Sequence, residues 1–172
     1  SSRKQIMEVF CPPRFSALAH KFGLHPSIAF DLHTGWDLND TQSVEYVWKC
    51  IMDIRPAMLF TSPRCSSFCT FAKWNEHKPG FQSSREEGMR HLKECIAMRK
   101  HQHAQGRYFC HEHPLNASSW QLEFVEELMA LEGVVLIRCD QCMFGQGTWH
   151  NGEWKHALKP TGFLTNCPGV AK

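Results

Sequence analysis

A chain of 172 residues fits one ordinary domain and leaves little room for two independent cores. With 42% hydrophobic and 12% aromatic residues it can build a packed interior, which excludes a disordered, collagen-like or coiled-coil chain. The 19 Lys and Arg against 17 Asp and Glu leave a formal charge of +2, so overall charge neither marks nor excludes a polyanion partner.

In chain order, residues 5–10 are an apolar run stopped by Cys11-Pro12-Pro13 and predict a strand; Phe15, Leu18 and Phe22 stand at helical spacing within 14–22. Residues 27–32 predict a second strand, and Thr41 is placed to cap a helix running through Ile51. Residues 57–61 predict a third strand, apolar enough to be covered on both faces. The stretch 62–83 is the longest irregular segment, and loops of that length usually carry function. A charged helix is expected over 84–105, closed by Gly106, with Arg85, Arg90, Lys93, Arg99 and Lys100 on a solvated face. Residues 107–112 and 134–139 predict two further strands around a helix over 118–131, and 161–165 a last strand. Repeated alternation of strand and helix predicts a three-layer α/β sandwich: a mostly parallel sheet, helices on both faces, right-handed crossovers. The whole chain, 1–172, is read as one domain.

Nine cysteines are an odd number, and several lie inside apolar runs, as in Phe109-Cys110; this predicts reduced thiols and an intracellular protein rather than a disulfide framework. No signal-peptide pattern is seen and no run approaches the ~20 apolar residues of a membrane span, so no membrane partner is expected. The Ser1-Ser2 start without an initiator Met reads as a piece of something longer, such as a polyprotein.

In an open parallel sheet the ligand crevice lies beyond the carboxyl ends of the strands. Those ends here read Cys11-Pro12-Pro13-Arg14, Asp31, Ser62-Pro63-Arg64-Cys65, Glu112-His113-Pro114 and Asp140-Gln141-Cys142. A thiol after one central strand and a carboxylate after the next would face each other across the rim, as a nucleophile and an acid must.

Pro63-Arg64-Cys65 and Glu112-His113-Pro114 resemble the Pro-Pro-Cys and Glu-Asn-Val blocks of the cytosine carbon-5 DNA methyltransferases, a branch of the class I, Rossmann-like S-adenosylmethionine-dependent methyltransferases. Met7-Glu8-Val9-Phe10-Cys11 resembles that family's opening Glu-Leu-Phe-Ser-Gly strand, Trp36-Asp37-Leu38 its Gly-Asp-Ile block, and Lys159-Pro160-Thr161 through Asn166 the ending of small phage-type methylases. The combination is also similar to segments of retroelement-like polyproteins. The resemblance implies Cys65 and Glu112 as catalytic residues, and Phe10, Cys11, Asp31, Asp37, Ser62 and Pro63 on S-adenosylmethionine. It further implies Arg64, Ser66 and His113 on the substrate, which would be nucleic acid, DNA ahead of RNA. Arg64 and a following helix N-terminus are expected to favour the Cys65 thiolate. Another module or chain would supply target recognition, for which no separate region is seen.

Two other readings stand beside this one. The first loop, Cys11-Pro12-Pro13-Arg14, lacks the family's glycines, which suits a methyltransferase-fold scaffold without catalysis. Cys139-x2-Cys142 has knuckle spacing, and 11 His with nine Cys supply donors for a zinc-stabilised nucleic-acid-binding domain. A zinc deaminase is rejected, because no His-x-Glu precedes a Pro-Cys-x-x-Cys. The loop aromatics Trp74, Phe81, Trp149 and Trp154 could stack bases or cover a core edge.

Overall fold

The computed structural model describes residues 5–172. Strand β1 (Gln5–Val9) leads through the proline turn into α1 (Phe15–Leu18) and the 3-10 turn Ala19–Phe22, then β2 (His25–Phe30). Helix α2 (Thr41–Ile54) follows, then β3 (Met58–Thr61), the short α3 (Ala72–Asn75) and the long α4 (Phe81–Ala104). Next come β4 (Tyr108–Pro114), α5 (Glu123–Met129), β5 (Val135–Asp140), a two-stranded hairpin of β6 (Gly147–His150) and β7 (Glu153–His156), and β8 (Pro160–Thr165). Six strands form one sheet in the order β2-β1-β3-β4-β8-β5. The pairs β2-β1, β1-β3 and β3-β4 are parallel; β8 runs antiparallel between β4 and β5.

Side chains alternate across a strand, so each strand divides its residues between two faces. Met7, Val9 and Leu59 pack with Phe30, Val47, Ile51 and Met98 of β2, α2 and α4. Phe109 and Leu164 pack with Leu92, Ile96, Val125 and Leu128 of α4 and α5. Every helix longer than four residues contributes to these two cores on one face of the sheet. The second face carries Glu8, Phe60, Cys110 and Glu112. Phe15 of α1 lies over it, its ring centroid 4.2 Å from that of Phe60.

Three full layers are therefore not formed. Beyond α1 and its 3-10 turn, the second face opens into an apolar groove of about 710 Å³ that includes Ile6, Met58, Ile137, Met143 and Phe163.

Arg99 corrects the expected solvated face of α4, being fully buried. Its Nε donates to Thr61 Oγ1 at 2.8 Å, and its Nη2 reaches His111 Nδ1 at 2.6 Å. It thus ties the end of β3 to β4 immediately before Ser62 and Glu112. All nine cysteines are unpaired, with Cys11, Cys50, Cys95 and Cys110 buried. Among the described residues no helix is long and apolar enough to cross a membrane.

Candidate functional site

The first turn after β1 is organised by a buried carboxylate. Pro12 and Pro13 have no N–H, so the first available donors belong to Arg14, Phe15 and Ser16. Glu8 accepts from all three amides, at 3.1, 3.1 and 2.8 Å, and from the Ser16 hydroxyl. Phe10, one residue after β1, holds φ at 59°, in the left-handed region where glycine is the default. The glycine-free loop is thus built from one strained residue and one internal anion. Glu8→Gln should destabilise the fold by about 3 kcal/mol, because an amide NH2 would face donors and charge-assisted bonds would be lost. Urea unfolding of the variant checks this, and an unchanged midpoint would refute the role.

Beyond the ends of β1, β2 and β3 lies a cleft of about 330 Å³, at the small end of the about 300–1,000 Å³ usual for ligand sites. Phe10, Asp31, Asp37, Ser62 and Arg64 line it, together with Trp36 and His91. Asp31, just past β2, accepts from His33 N at 2.9 Å through Oδ1, which also meets His33 Nδ1 at 2.6 Å. Asp37 accepts from Asn39 N at 2.9 Å. Trp36 stacks on Tyr46, planes 4° apart, so its ring is held rigidly. His91 bonds Asn39 Oδ1 at 2.9 Å; burial, above all, holds its pKa below the usual imidazole range.

Ser62 joins this cleft to Glu112, its hydroxyl donating to Glu112 Oε2 at 2.7 Å. The other oxygen, Oε1, has no hydrogen-bond partner among the described residues, and the Lys159 ammonium stands 3.6 Å away. Cys65 is half-buried in a single turn, its carbonyl accepting from Phe68 N and Cys69 N at 2.9 and 3.0 Å. Its thiol is close enough to the carboxylate to feel it: burial first, then Glu112 and Cys69, push its pKa up, while Lys159 pulls it down. Cys65 and Glu112 are therefore within electrostatic reach of each other. No protein-family model matches the chain, and no curated protein matches its sequence.

Several expectations need correction. Arg64 and a helix N-terminus were to lower the Cys65 pKa, but the thiol sits at one turn, its pKa is raised, and Lys159 is the cation that lowers it. His113 is fully buried, with Nδ1 on Ser119 Oγ at 2.7 Å, so it cannot meet substrate beside Glu112. The strand geometry requires this, since adjacent residues of β4 point to opposite faces. Cys11 is buried with Phe60 and Cys110 on the second face and does not line the cleft; nor does Pro63, which is also buried. Ser66 is exposed beside a separate hollow with Lys78 and Phe81. Among the described residues no three His, Cys, Asp or Glu side chains converge to hold a metal ion, so Cys139 and Cys142 lack the partners a zinc knuckle needs.

Sequence reading missed Lys159 at Glu112, although it had singled out Lys159 in another block. Nothing local signals the contact, because β8 returns antiparallel from far along the chain. It also missed Ser62 as the link between cleft and acid; its position directly after a central strand was the available signal.

Proposed function

We propose that this chain is a class I, S-adenosylmethionine-dependent methyltransferase domain acting on carbon 5 of cytosine in DNA. The observation that carries the reading is Glu112, with one oxygen bound by Ser62, the other unpartnered, and the Cys65 thiol close enough to be perturbed by it. The sheet is compatible with it: six strands, mostly parallel, with one antiparallel strand between β4 and β5.

The cleft residues fit the adenosyl group. Among the described residues Asp31 keeps Oδ2 free of protein hydrogen bonds for ribose hydroxyls, Trp36 offers an apolar plane, and Asp31, Asp37 and Glu87 outnumber Arg64 around the cleft, a net negative lining that suits a cationic ligand. When bound, S-adenosylmethionine would supply an electrophilic methyl group. The remaining chemistry belongs to the chain. A cytosine reaches a buried carboxylate only when flipped out of its strand. Cys65 gives its proton to solvent water and its sulfur adds to carbon 6; the electron pair moves toward carbon 5, which becomes the nucleophile. Glu112, protonated, donates to nitrogen 3 and stabilises the charge that builds on the ring. After transfer, water takes the carbon 5 proton, nitrogen 3 returns its proton to Glu112, and expulsion of the thiolate restores the aromatic ring. Lys159 stabilises the thiolate and must move aside for Oε1 to meet the base.

The test is transfer of labelled methyl from S-adenosylmethionine to cytosine-containing DNA. The wild-type protein should label it and Cys65→Ala should not; equal labelling by both would refute the assignment. A scaffold without catalysis is the second reading, favoured by the raised thiol pKa. Calorimetric binding of S-adenosylmethionine with no transfer by wild type on any cytosine substrate would select it.

A further inference from the structure

The β6-β7 hairpin is outside the sheet and outside the mechanism, yet it is sharply specified. His150 pairs with Glu153 across a two-residue turn of Asn151 and Gly152, whose φ values are 51° and 78°. That is the turn whose twist matches a two-stranded ribbon. Trp149 and Trp154 are directly opposed, ring centroids 5.8 Å apart, and remain 69% and 50% exposed. The period of two puts both on one ribbon face with Gly147 and His156. Gly147 is required there: a Cβ would come within 2.7 Å of the Trp154 indole and 2.5 Å of the Lys155 carbonyl. The backbone has made room for the indole, so the ring is held before any ligand arrives.

Its location matters equally. The hairpin rises from the end of β5 and returns into the start of β8, the sheet end at which Glu112 lies. Ala157 N bonds Gln146 O at 3.1 Å, closing its base, and two residues later Lys159 reaches Glu112. From 141 to 159 the chain carries two lysines against one carboxylate, Glu153, which stands 3.7 Å from the Lys155 ammonium. Exposed flat aromatic rings flanked by lysines are what a groove for unpaired bases uses: base faces stack on rings, and cations meet phosphates.

We propose that Trp149 and Trp154 form a stacking platform for single-stranded DNA, holding the strand beside Glu112 in place of a separate recognition region. This rests on the methyltransferase reading for its choice of substrate, but its test does not depend on turnover. A fluorescent oligodeoxycytidine of about 16 nucleotides, the upper single-fold site size, is titrated with the 172-residue chain. The Trp149→Ala/Trp154→Ala double variant should bind roughly tenfold or more weakly, as expected for the loss of two stacking rings. Trp154→Phe should retain most of the affinity, since a flat ring remains over Gly147. Failed methyl transfer with hairpin-dependent binding would sink the enzyme and leave the platform standing.

The hairpin has its own small sheet, so circular dichroism of the double variant should match wild type. Equal affinity of wild type and double variant would overturn the proposal. So would equal affinity for duplex and single strand, tighter binding of the matching RNA, or no binding of the oligonucleotide at all. Concentration-dependent self-association lost in the double variant, with unchanged oligonucleotide affinity, would assign the surface to a second copy and equally overturn it.

Discussion

Glu112→Gln is expected to move two readouts in opposite directions, abolishing methyl transfer while making Cys65 more reactive. On the first readout, a glutamine keeps the shape and a link to Ser62 but cannot deliver a proton to nitrogen 3 as the ring becomes electron-rich. Loss of a positioned general acid costs about 10²- to 10⁴-fold in rate. On the second, the carboxylate is among the groups that raise the Cys65 pKa. Removing its charge lowers that pKa and enlarges the thiolate fraction at fixed pH. Intrinsic nucleophilicity falls with pKa, with a Brønsted slope of about 0.4–0.5, so the net gain in alkylation is smaller than the gain in thiolate but keeps its sign. Iodoacetamide labelling followed by mass spectrometry of the Cys65 peptide measures this alone, whatever the other eight thiols do. Lys159→Ala should shift alkylation the opposite way, since the ammonium lowers the Cys65 pKa. A purely structural Glu112 would lose stability in the Gln variant and leave the Cys65 rate unchanged. That outcome would remove the carboxylate from the site.

The strand ends were legible because chemistry and folding use the same signal. Apolar runs stop where polar residues begin, and in a parallel sheet those stops gather at one rim; Asp31, Ser62 and Glu112 were found that way. Three things were not legible, each for a physical reason. Cys11-Pro12-Pro13 looked unable to form the usual first turn, but the missing flexibility is supplied by a left-handed Phe10, and the turn's amides are held by Glu8, a strand residue with no local mark of that role. Arg99 followed the charge pattern of an exposed helix face. Only the approach of α4 to Thr61 and His111, distant in sequence, explains its burial. The hairpin, by contrast, was readable: Asn151-Gly152 between Trp149-His150 and Glu153-Trp154 is a strong two-residue turn signal, obscured by the irregular composition around it. The helical cover of the second face was overestimated because alternating strands and helices imply crossovers without fixing the side on which each helix lands.

The protein should lose stability steeply between pH 6.5 and 5, well before most carboxylates titrate. His111 and His113 are fully buried on the helical face of β4, their rings 5.0 Å apart. Burial, then Arg99, holds the His113 pKa down to about 4; burial, Arg99 and His113 hold that of His111 well below 6.5. The hydrogen bonding gives the reason. Arg99 can only donate, so His111 Nδ1 must accept and carry no proton. Protonating that nitrogen would set two cations against each other in a dry interior. In the unfolded chain both imidazoles take up protons near pH 6.5, so below that pH the unfolded state binds more protons than the folded one and stability falls with falling pH. The stabilisation is complete above 6.5 and lost progressively toward the folded pKa. A shift from 6.5 to about 4 amounts to about 2 kcal/mol lost by pH 5 for His113, and His111 acts in the same direction. A drop of about 2 kcal/mol is already a large part of a domain's usual ~5–15 kcal/mol. Urea unfolding at pH 7.5, 6.5, 5.5 and 5 should reveal it. His113→Asn, which can keep the Ser119 bond and does not titrate, should remove about 2 kcal/mol of the pH-dependent loss. A wild-type curve level across this window would show that the imidazoles are not held neutral. The bridge of Arg99 between Thr61 and His111, on which the spacing of Cys65 and Glu112 depends, would then have to be redrawn.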